Sequence, residues 1–551
     1  MTLNNKLITL KKNTELIIKN KNFFWAILFF FCIFSLITSI NQGKYIYDGY
    51  HWGFVASNAN DFLNGKLLYK EIFVHYGILT LIIHSIAYKI YSSIFSLIFI
   101  TSLFYVASIF FVTLVIKKIS NINYCYLFLY ILFFFQPFAV YPWHTYFIFF
   151  FVSLSLFLLL IKNIVIYFIF GFLLQLTYLS SESFKLCSYI IFVSTIILIY
   201  FENEKKISKF YKPIIFFTLG YLIPLIIFLF FLNKFELYSH WKSQNVPEIV
   251  LSMKEKSLFV FFKEFVIDYL INIKDIYNKP IYLLGFILNL SCCIYIFLFL
   301  TKKLKKNYYI FLVSIFSLSL NFMLIPFFNN FRFFNGPILG IIVLSYLLFK
   351  TKYTELKNLL LLLLIFLVPL SNPFEKGESN STYSNKSIKD KSLINKDIPH
   401  FKNMRYPKEV WHHYQDILNI SNEIKINCPE INNFYNLTSD HFYFLLLSDH
   451  FNLNQKMPGY SEKWVNNKNS LKHYYDSYIK KIDKRFYFNL RENIKIKNTF
   501  FIRKNINNNF ISVLDKKIFL DDYYFIDLNY SYYNKQKKLY IPKTCIIKNK
   551  T

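Results

Sequence analysis

The sequence predicts a polytopic α-helical membrane domain followed by one small soluble α/β domain, and three observations carry that expectation. Up to about residue 371 the chain is a series of Phe/Leu/Ile blocks separated by short lysine-rich or polar connectors. Residues 372–400 form a polar stretch almost free of apolar runs, which marks a boundary by composition. Beyond it, residues 401–551 alternate one helical apolar pattern with several β-favouring stretches and contain no long apolar block. A chain of 551 residues that is 55% hydrophobic, with mean hydropathy +0.35, is too apolar for a disordered protein, a disulfide-rich secreted module or an ordinary soluble enzyme.

A bilayer core asks for roughly 20 apolar residues per helix. On that measure the expected spans, about eleven in all, are Phe23–Ile40, Ile94–Ile116, Tyr124–Tyr141, Tyr146–Ile161, Ile164–Leu179, Leu186–Tyr200, Ile214–Leu232, Ile281–Leu300, Tyr308–Phe327, Phe333–Phe349 and Leu356–Leu370. The first follows a lysine-rich stretch and lacks a small-residue cleavage pattern, so it is expected to remain as a helix rather than be removed as a signal peptide. The piece Gly77–Tyr91 is short and interrupted by His84 and Lys89, and parity decides its placement. If it lies at the outer interface and the N-terminus is cytoplasmic, the connectors Lys117-Lys118, Lys162, Lys205–Lys212, Lys302–Lys306 and Lys350–Lys357 all fall inside, as the positive-inside rule prefers. The same topology puts Asn41–Tyr76, Asn233–Pro280, Asn329–Arg332 and the C-terminal domain outside the cytoplasm.

Lys and Arg number 62 against 32 Asp and Glu, a net charge of +30. With the lysines at membrane edges, that charge reports topology, and no nucleic-acid partner is expected. The Phe, Tyr, Ile, Asn and Lys bias reads mainly as AT-rich coding. Cys32, Cys125, Cys187, Cys292 and Cys293 lie in apolar blocks and read as small core residues, whereas Cys428 and Cys545 lie in the soluble part and can pair if it is extracytoplasmic. In the C-terminal domain, Val410, Trp411, Tyr414, Leu418 and Ile424 recur at helical spacing. Asn433–Leu437, Thr499–Arg503, Phe510–Leu514 and Tyr523–Leu528 favour strands, and the run Lys535–Lys543 reads as a solvated face.

The stretch with the most chemistry is the first outer loop, Tyr47–Gly77, which gathers Asp48, His51, Asp61, Glu71 and His75 directly after the first membrane exit. An acid at a membrane–water boundary, between an apolar helix and an amphipathic one, is placed to take a proton from a bound hydroxyl while a lipid lies alongside. Solvated loop residues are the competing reading. Elsewhere, Glu182 reads either as a ligand or as the ion-pair partner of Lys185, and His240 with Trp241 lies in the second long outer loop. His412 and His413 are adjacent and cannot both face one metal from a helix, so metal use stays unknown.

These residues carry a resemblance. An acid just after the first span, an aromatic and small-residue helix, a Gly65-x-x-x-Tyr69-x-Glu71 turn and an aromatic-Gly lead-in (Tyr76-Gly77) to an interfacial helix resemble the first outer loop of GT-C glycosyltransferases. The likeness is to the branch containing protein O-mannosyltransferases and lipid A aminoarabinose transferases. The stretch around Lys185 resembles the segment where members carry a membrane-boundary lysine, and NNFRFFNGP, with Arg332, resembles their R-[FY]-x-x-x-x-P motif. Members often show two adjacent acids after the first span and Pro after the aromatic; here Gly49 follows Asp48 and Gly77 follows Tyr76.

The resemblance implies a GT-C-like fold and transfer of a sugar from a polyprenyl-phosphate donor in the bilayer to an extracytoplasmic acceptor. It makes Asp48 the general base, Lys185 and Arg332 the contacts of the leaving lipid phosphate, and His51, Glu71, His75, Tyr76, Glu182 and His240 candidates for substrate binding. A lipid-phosphate donor needs no nucleotide site, in keeping with the lack of a phosphate-cradling Gly-rich loop. No cofactor is required, and a divalent metal stays an open alternative. The expected location is the cell's inner (plasma) membrane. Two other readings compete: an O-antigen-type ligase or polymerase, which should place its basic residues and a His in a late outer loop, and a lipid or polysaccharide transporter, which should show two similar halves.

Overall fold

The computed structural model describes residues 20–45, 48–49, 51–74, 76–135, 141–161, 163–181, 184–202, 207–244, 267, 280–302, 307–321, 337–352, 354–370, 393–394, 398–406, 408–438, 440–453, 497, 499–504, 522–528 and 537–547. The helices of the first part are α1 (Lys21–Gly43), α2 (His51–Leu63), α3 (Ile78–Ile90), α4 (Ile94–Ile119), α5 (Ile122–Phe135), α6 (His144–Leu159), α7 (Ile164–Ser180), α8 (Lys185–Glu202), α9 (Ile207–Lys234), α10 (Tyr238–Gln244), α11 (Pro280–Leu300), α12 (Tyr308–Leu320), α13 (Gly340–Lys350) and α14 (Thr354–Leu370). Several begin on an asparagine or serine whose side chain accepts from the first exposed amides. Asn20 caps α1 (2.8 Å from Asn22 N), and Ser93, Asn163 and Asn307 cap α4, α7 and α12.

Five helical stretches are long and apolar enough to cross a membrane: Lys21–Gly43, Ile94–Ile119, Lys185–Glu202, Phe210–Lys234 and Leu283–Leu300. The other six expected spans overlap shorter apolar helices, while residues 136–140 of Tyr124–Tyr141, 322–327 of Tyr308–Phe327 and 333–336 of Phe333–Phe349 lie outside the described residues. Large side chains stand out from the bundle, among them Phe30 (69% exposed), Ile227 (62%), Phe230 (67%) and Phe366 (66%). Water would make such faces untenable and lipid covers them, which makes the chain a multi-pass membrane protein. The bundle is tightest where α7 crosses α9. A Cβ on Gly171 would lie 2.8 Å from the Tyr221 amide, and one on Gly220 would lie 2.8 Å from the Phe168 carbonyl carbon, so glycine permits the close backbone approach typical of membrane helix pairs. Among the lysine connectors, Lys117 lies 3.9 Å from the Phe24 ring centre and 4.8 Å from that of Trp25, which seats one helix end.

The C-terminal domain is α/β. Its helices are α15 (Lys408–Asn427) and α16 (Phe442–Leu447), and its strands are β1 (Leu393–Ile394), β2 (Arg405–Tyr406), β3 (Asn433–Leu437), β4 (Asn452–Leu453), β5 (Thr499–Lys504), β6 (Tyr523–Leu528) and β7 (Lys537–Pro542). The main sheet runs β4-β3-β5-β7-β6, with β3 parallel to β4 and β5 and the β5-β7-β6 half antiparallel. The expected helix and three of the expected strands are present, while Phe510–Leu514 lies outside the described residues. The run Lys535–Lys543 is a correction: within it β7 is an interior strand and Lys537 is only 8% exposed. Alternation explains the misreading, because the strand KKLYIP turns Lys537, Leu539 and Ile541 inward and leaves Lys538 half-buried. Cys428 at the end of α15 and Cys545 after β7 form a disulfide, with Cα atoms 5.6 Å apart. Of the five other cysteines four are buried and Cys293 is exposed, so the core reading fails for Cys293.

The two parts share one core. Trp52, Phe54, Val55, Ala56 and Ala59 of α2, with Ile94, Leu97 and Ile98 of α4, are buried in the same cluster as Phe401, Tyr406, Tyr414, Phe442 and Leu446. The segment between α1 and α3 therefore packs into the C-terminal domain.

Candidate active site

The turn after α1 leads to Asp48, whose carboxylate does two things. Oδ1 accepts the His51 amide at 2.9 Å and the Asp48 carbonyl accepts the Trp52 amide at 3.1 Å, so Asp48 closes the N-terminus of α2. Oδ2 lies 2.6 Å from His51 Nδ1, a side-chain pair that a spacing of three residues permits on one face of the first turn. The Asp48 side chain is 14% exposed and that of His51 29%. Asp48 sits at the positive end of the α2 dipole. The result is a carboxylate–imidazole pair at the end of an apolar helix, half-open to its surroundings.

The wall beside the dyad comes from the segment between α5 and α6. The His51 ring stands edge-on to Tyr141 (5.9 Å between centres) and Trp143 (5.6 Å), and those two rings stack on each other at 4.9 Å. Tyr76 lies 5.1 Å, ring to ring, from His144 at the start of α6, and this half-buried tyrosine packs against both the bundle core and the shared core. Sequence reasoning singled out Tyr76 but missed Tyr141, Trp143 and His144. The YPWH segment at 141–144 was a local signal, read there only as the end of one apolar block and the start of another.

The other expected residues are dispersed. Glu71 is exposed, and its Oε2 accepts the Leu67 amide at 2.7 Å. Gly65 (φ 83°) and the buried Tyr69 (φ 61°) are both left-handed, so the Gly65-x-x-x-Tyr69-x-Glu71 motif makes a tight turn, with Glu71 closing it. Asp61 is buried and paired with Lys66 at 2.9 Å. His240 rides on α10, whose Trp241, with Leu237 just before the helix, packs against the Tyr69 turn. Lys185 is half-buried at the first residue of α8, whose first turn contains no acid. His75, Glu182 and Arg332 lie outside the described residues. No group of three or more metal-ligating side chains occurs among the described residues.

Behind the dyad lies a second charged cluster that sequence reasoning did not find. Asp440 Oδ2 accepts from Lys537 Nζ at 3.1 Å and from the Tyr414 hydroxyl at 2.8 Å, and Oδ1 accepts the Phe442 amide at 3.2 Å. Lys537 Nζ also donates to the Tyr443 hydroxyl at 2.7 Å, which in turn lies 2.6 Å from His413 Nε2. Burial pushes the Asp440 carboxyl up, but the Lys537 ammonium and the hydrogen bonds outweigh it and hold the group below its ordinary value. Burial, with Lys537 adding to it and Asp440 opposing, pushes His413 down to about 3. The Tyr406 hydroxyl is driven well above its ordinary value by burial first and then by Asp48 and Asp440, so the two carboxylates act on one phenol.

No protein-family model matches the chain, and no curated protein matches it in sequence. Among solved structures, the oligosaccharyltransferase of Archaeoglobus fulgidus aligns in its apo form over 88% of this chain and 70% of its own, at 12% identity and a TM-score of 0.45. The same enzyme tethered to an acceptor peptide containing the NVT sequon aligns over 87% and 69%, at 11% identity and 0.45. Its complex with Zn and sulfate aligns over 78% and 58%, at 12% identity and 0.38. Likeness at this level does not assign a family, and the functional reading rests on the chain's own residues.

Proposed function

We propose that the chain is an integral membrane glycosyltransferase of the GT-C type that transfers a sugar from a polyprenyl-phosphate carrier to an extracytoplasmic acceptor. The Asp48–His51 dyad, set at the N-terminus of α2 directly after the first apolar helix, is the observation that carries the reading. In the reaction, an acceptor hydroxyl oxygen attacks the anomeric carbon from the face opposite the lipid phosphate. The new C–O bond forms as the bond to the phosphate oxygen breaks, the phosphate leaves with the electron pair, and the hydroxyl proton passes to Asp48, with inversion at the anomeric carbon. His51, hydrogen-bonded to Oδ2, fixes the carboxylate and shares the proton.

The leaving phosphate needs cations, and Lys185 and Arg332 are assigned to it. Lys185 stands in the first turn of α8 with no acid beside it in that turn; a cation at the positive end of a helix dipole is poorly placed unless an anion joins it. His51, Glu71, His75, Tyr76, Glu182 and His240 remain candidates for holding the substrates, with Glu71 better explained by its turn. The Cys428–Cys545 disulfide supports an extracytoplasmic C-terminal domain, because disulfides persist in oxidising compartments. That side of the membrane is where a lipid-linked donor and its acceptor meet.

The test is transfer from a labelled polyprenyl-phosphate sugar by the purified protein in nanodiscs. Asp48→Asn keeps the hydrogen bond that caps α2 and removes the base, so transfer should fall by about 10²–10⁴-fold with the protein still inserted and folded. Full transfer by Asp48→Asn would remove the reading.

A further inference from the structure

The turn that carries Asp48 is held from the C-terminal domain at several points. The Arg405 amide donates to the Lys44 carbonyl at 2.8 Å, and Arg405 Nη1 donates to the Tyr45 hydroxyl at 2.7 Å. The His441 amide donates to the Gly49 carbonyl at 2.8 Å. A Cβ on Gly49 would run into the Asp440 carboxylate, with its Cγ only 2.7 Å away, and a Cβ on Gly53 would come within 2.7 Å of the Phe442 amide nitrogen. Two of the chain's 12 glycines thus sit where residues 440–442 press on the start of α2.

The pressing group is rigid. Asp440 is 7% exposed, and its carboxylate is bound by Lys537, the Tyr414 hydroxyl and the Phe442 amide. Its backbone is fixed as well, since the carbonyl accepts Asn436 Nδ2 at 2.7 Å and the amide donates to Thr438 Oγ1 at 3.1 Å. Lys537 pairs with its charge at 3.1 Å. A surface packed only for stability would call for an apolar group here; a carboxylate with a dedicated buried lysine fixes one geometry instead.

We propose that Asp440 is a positioning residue for Asp48: locked by Lys537, it sets the Gly49 peptide and through it the direction of the Asp48 carboxylate, so the C-terminal domain completes the active site. The proposal rests on the reading of Asp48 as the general base. Displacement of a catalytic group by about 1 Å can cost on the order of a hundredfold in rate, so the effect is expected in kcat, with substrate binding largely kept.

Three variants of the full-length protein test this: Gly49→Ala; the double variant Asp440→Ala/Lys537→Met, which leaves neither charge buried alone; and all three substitutions together. Gly49→Ala and the double variant should each lower kcat by roughly ten- to a hundredfold, with the donor KM within about threefold. Adding Gly49→Ala to the double variant should cost less than about twofold, because the carboxylate that the methyl would strike is gone. Wild-type kcat in Gly49→Ala and in the double variant, with Asp48→Asn inactive, would overturn the proposal while leaving the function standing. Loss of kcat that only tracks the folded fraction, or equal costs of Gly49→Ala in both backgrounds, would also overturn it. A readout independent of transfer is the rate of His51 carbethoxylation by diethyl pyrocarbonate, read by mass spectrometry. It should change several-fold in Gly49→Ala, and an unchanged rate would count against the proposal even if the protein transferred no sugar.

Discussion

A set of buried hydroxyls in the membrane bundle and the charged network of the C-terminal domain bury polar groups in different ways, although the bundle also has bonds between helices such as Asn289–Asn321 and Ser188–Tyr221. In the bundle, the buried Ser153, Ser155, Thr113 and Ser314 hydroxyls each donate to the carbonyl four residues earlier in their own helix. Such bonds need no partner from another element and carry no charge, so they specify little about which helix lies beside which. In the C-terminal domain, Asp440, Lys537, Tyr414, Tyr443 and His413 form one connected network drawn from α15, α16, β7 and the loop before α16. Every bond in it joins different segments, so it fixes their relative placement. These bundle hydroxyls leave helix placement to packing and to a few neutral bonds between helices, whereas the region beside Asp48 is also ordered by a buried charge pair.

The sharpest way to break that contrast is to remove one partner of the buried pair. Lys537→Met leaves Asp440 buried without its counter-charge and should destabilise the C-terminal domain by about 3–5 kcal/mol, whereas Asp440→Ala/Lys537→Met should cost far less. Hydrogen exchange of the β5 and β7 amides in nanodiscs reads the difference. If the single and double variants exchange alike, the pair has no more structural weight than a bundle hydroxyl.

The same contrast explains what the sequence disclosed. Apolar blocks and lysine connectors are one-dimensional signals, so the described helices of the bundle and the helix at 408–427 were legible from hydropathy and periodicity. Asp48 and His51 stood out in one acid- and histidine-rich stretch, but their pairing, three residues apart, is seen only in the structure. Asp440 and Lys537 are 97 residues apart, and their contact exists only once β7 lies inside the sheet. A lysine run reads as a solvated face in any pattern that cannot see strand order. Gly49 and Gly53, four apart in a glycine-poor chain, were the available hint that another backbone comes close. The Glu71 turn misled in the other direction, since its motif-like residues serve local geometry.

A smaller expected effect is acid sensitivity of the C-terminal domain. Burial and Lys537, against Asp440, push His413 from 6.5 to about 3, and burial lowers His400 against the opposing charge of Asp449. Both groups bind a proton more readily unfolded than folded. Their contribution is therefore complete above the unfolded value near 6.5 and is lost as pH falls toward the folded value. Asp440, held below its usual 3.8, adds the same sign at still lower pH. Each histidine contributes up to ~1.4 kcal/mol per pH unit in that window. Between pH 7.5 and pH 5, hydrogen exchange in β5 and β7 should rise, and His413→Gln, which can still bond the Tyr443 hydroxyl, should reduce that rise. An identical pH response in His413→Gln would show that His413 stays protonated or exposed, contrary to its place in the network.

The smallest effect belongs to the bundle. Ser153 is fully buried and Thr113 is fully buried, yet each hydroxyl bonds only a carbonyl of its own helix, at 2.6 Å and 2.8 Å. That carbonyl already serves the helical ladder, so removing the hydroxyl leaves no donor or acceptor stranded. Ser153→Ala and Thr113→Val should therefore change thermal stability in detergent by less than about 1 kcal/mol. A loss as large as that of Lys537→Met would mean that these hydroxyls reach across helices, and the contrast between same-helix hydroxyl bonds and the charged network beside Asp48 would fail.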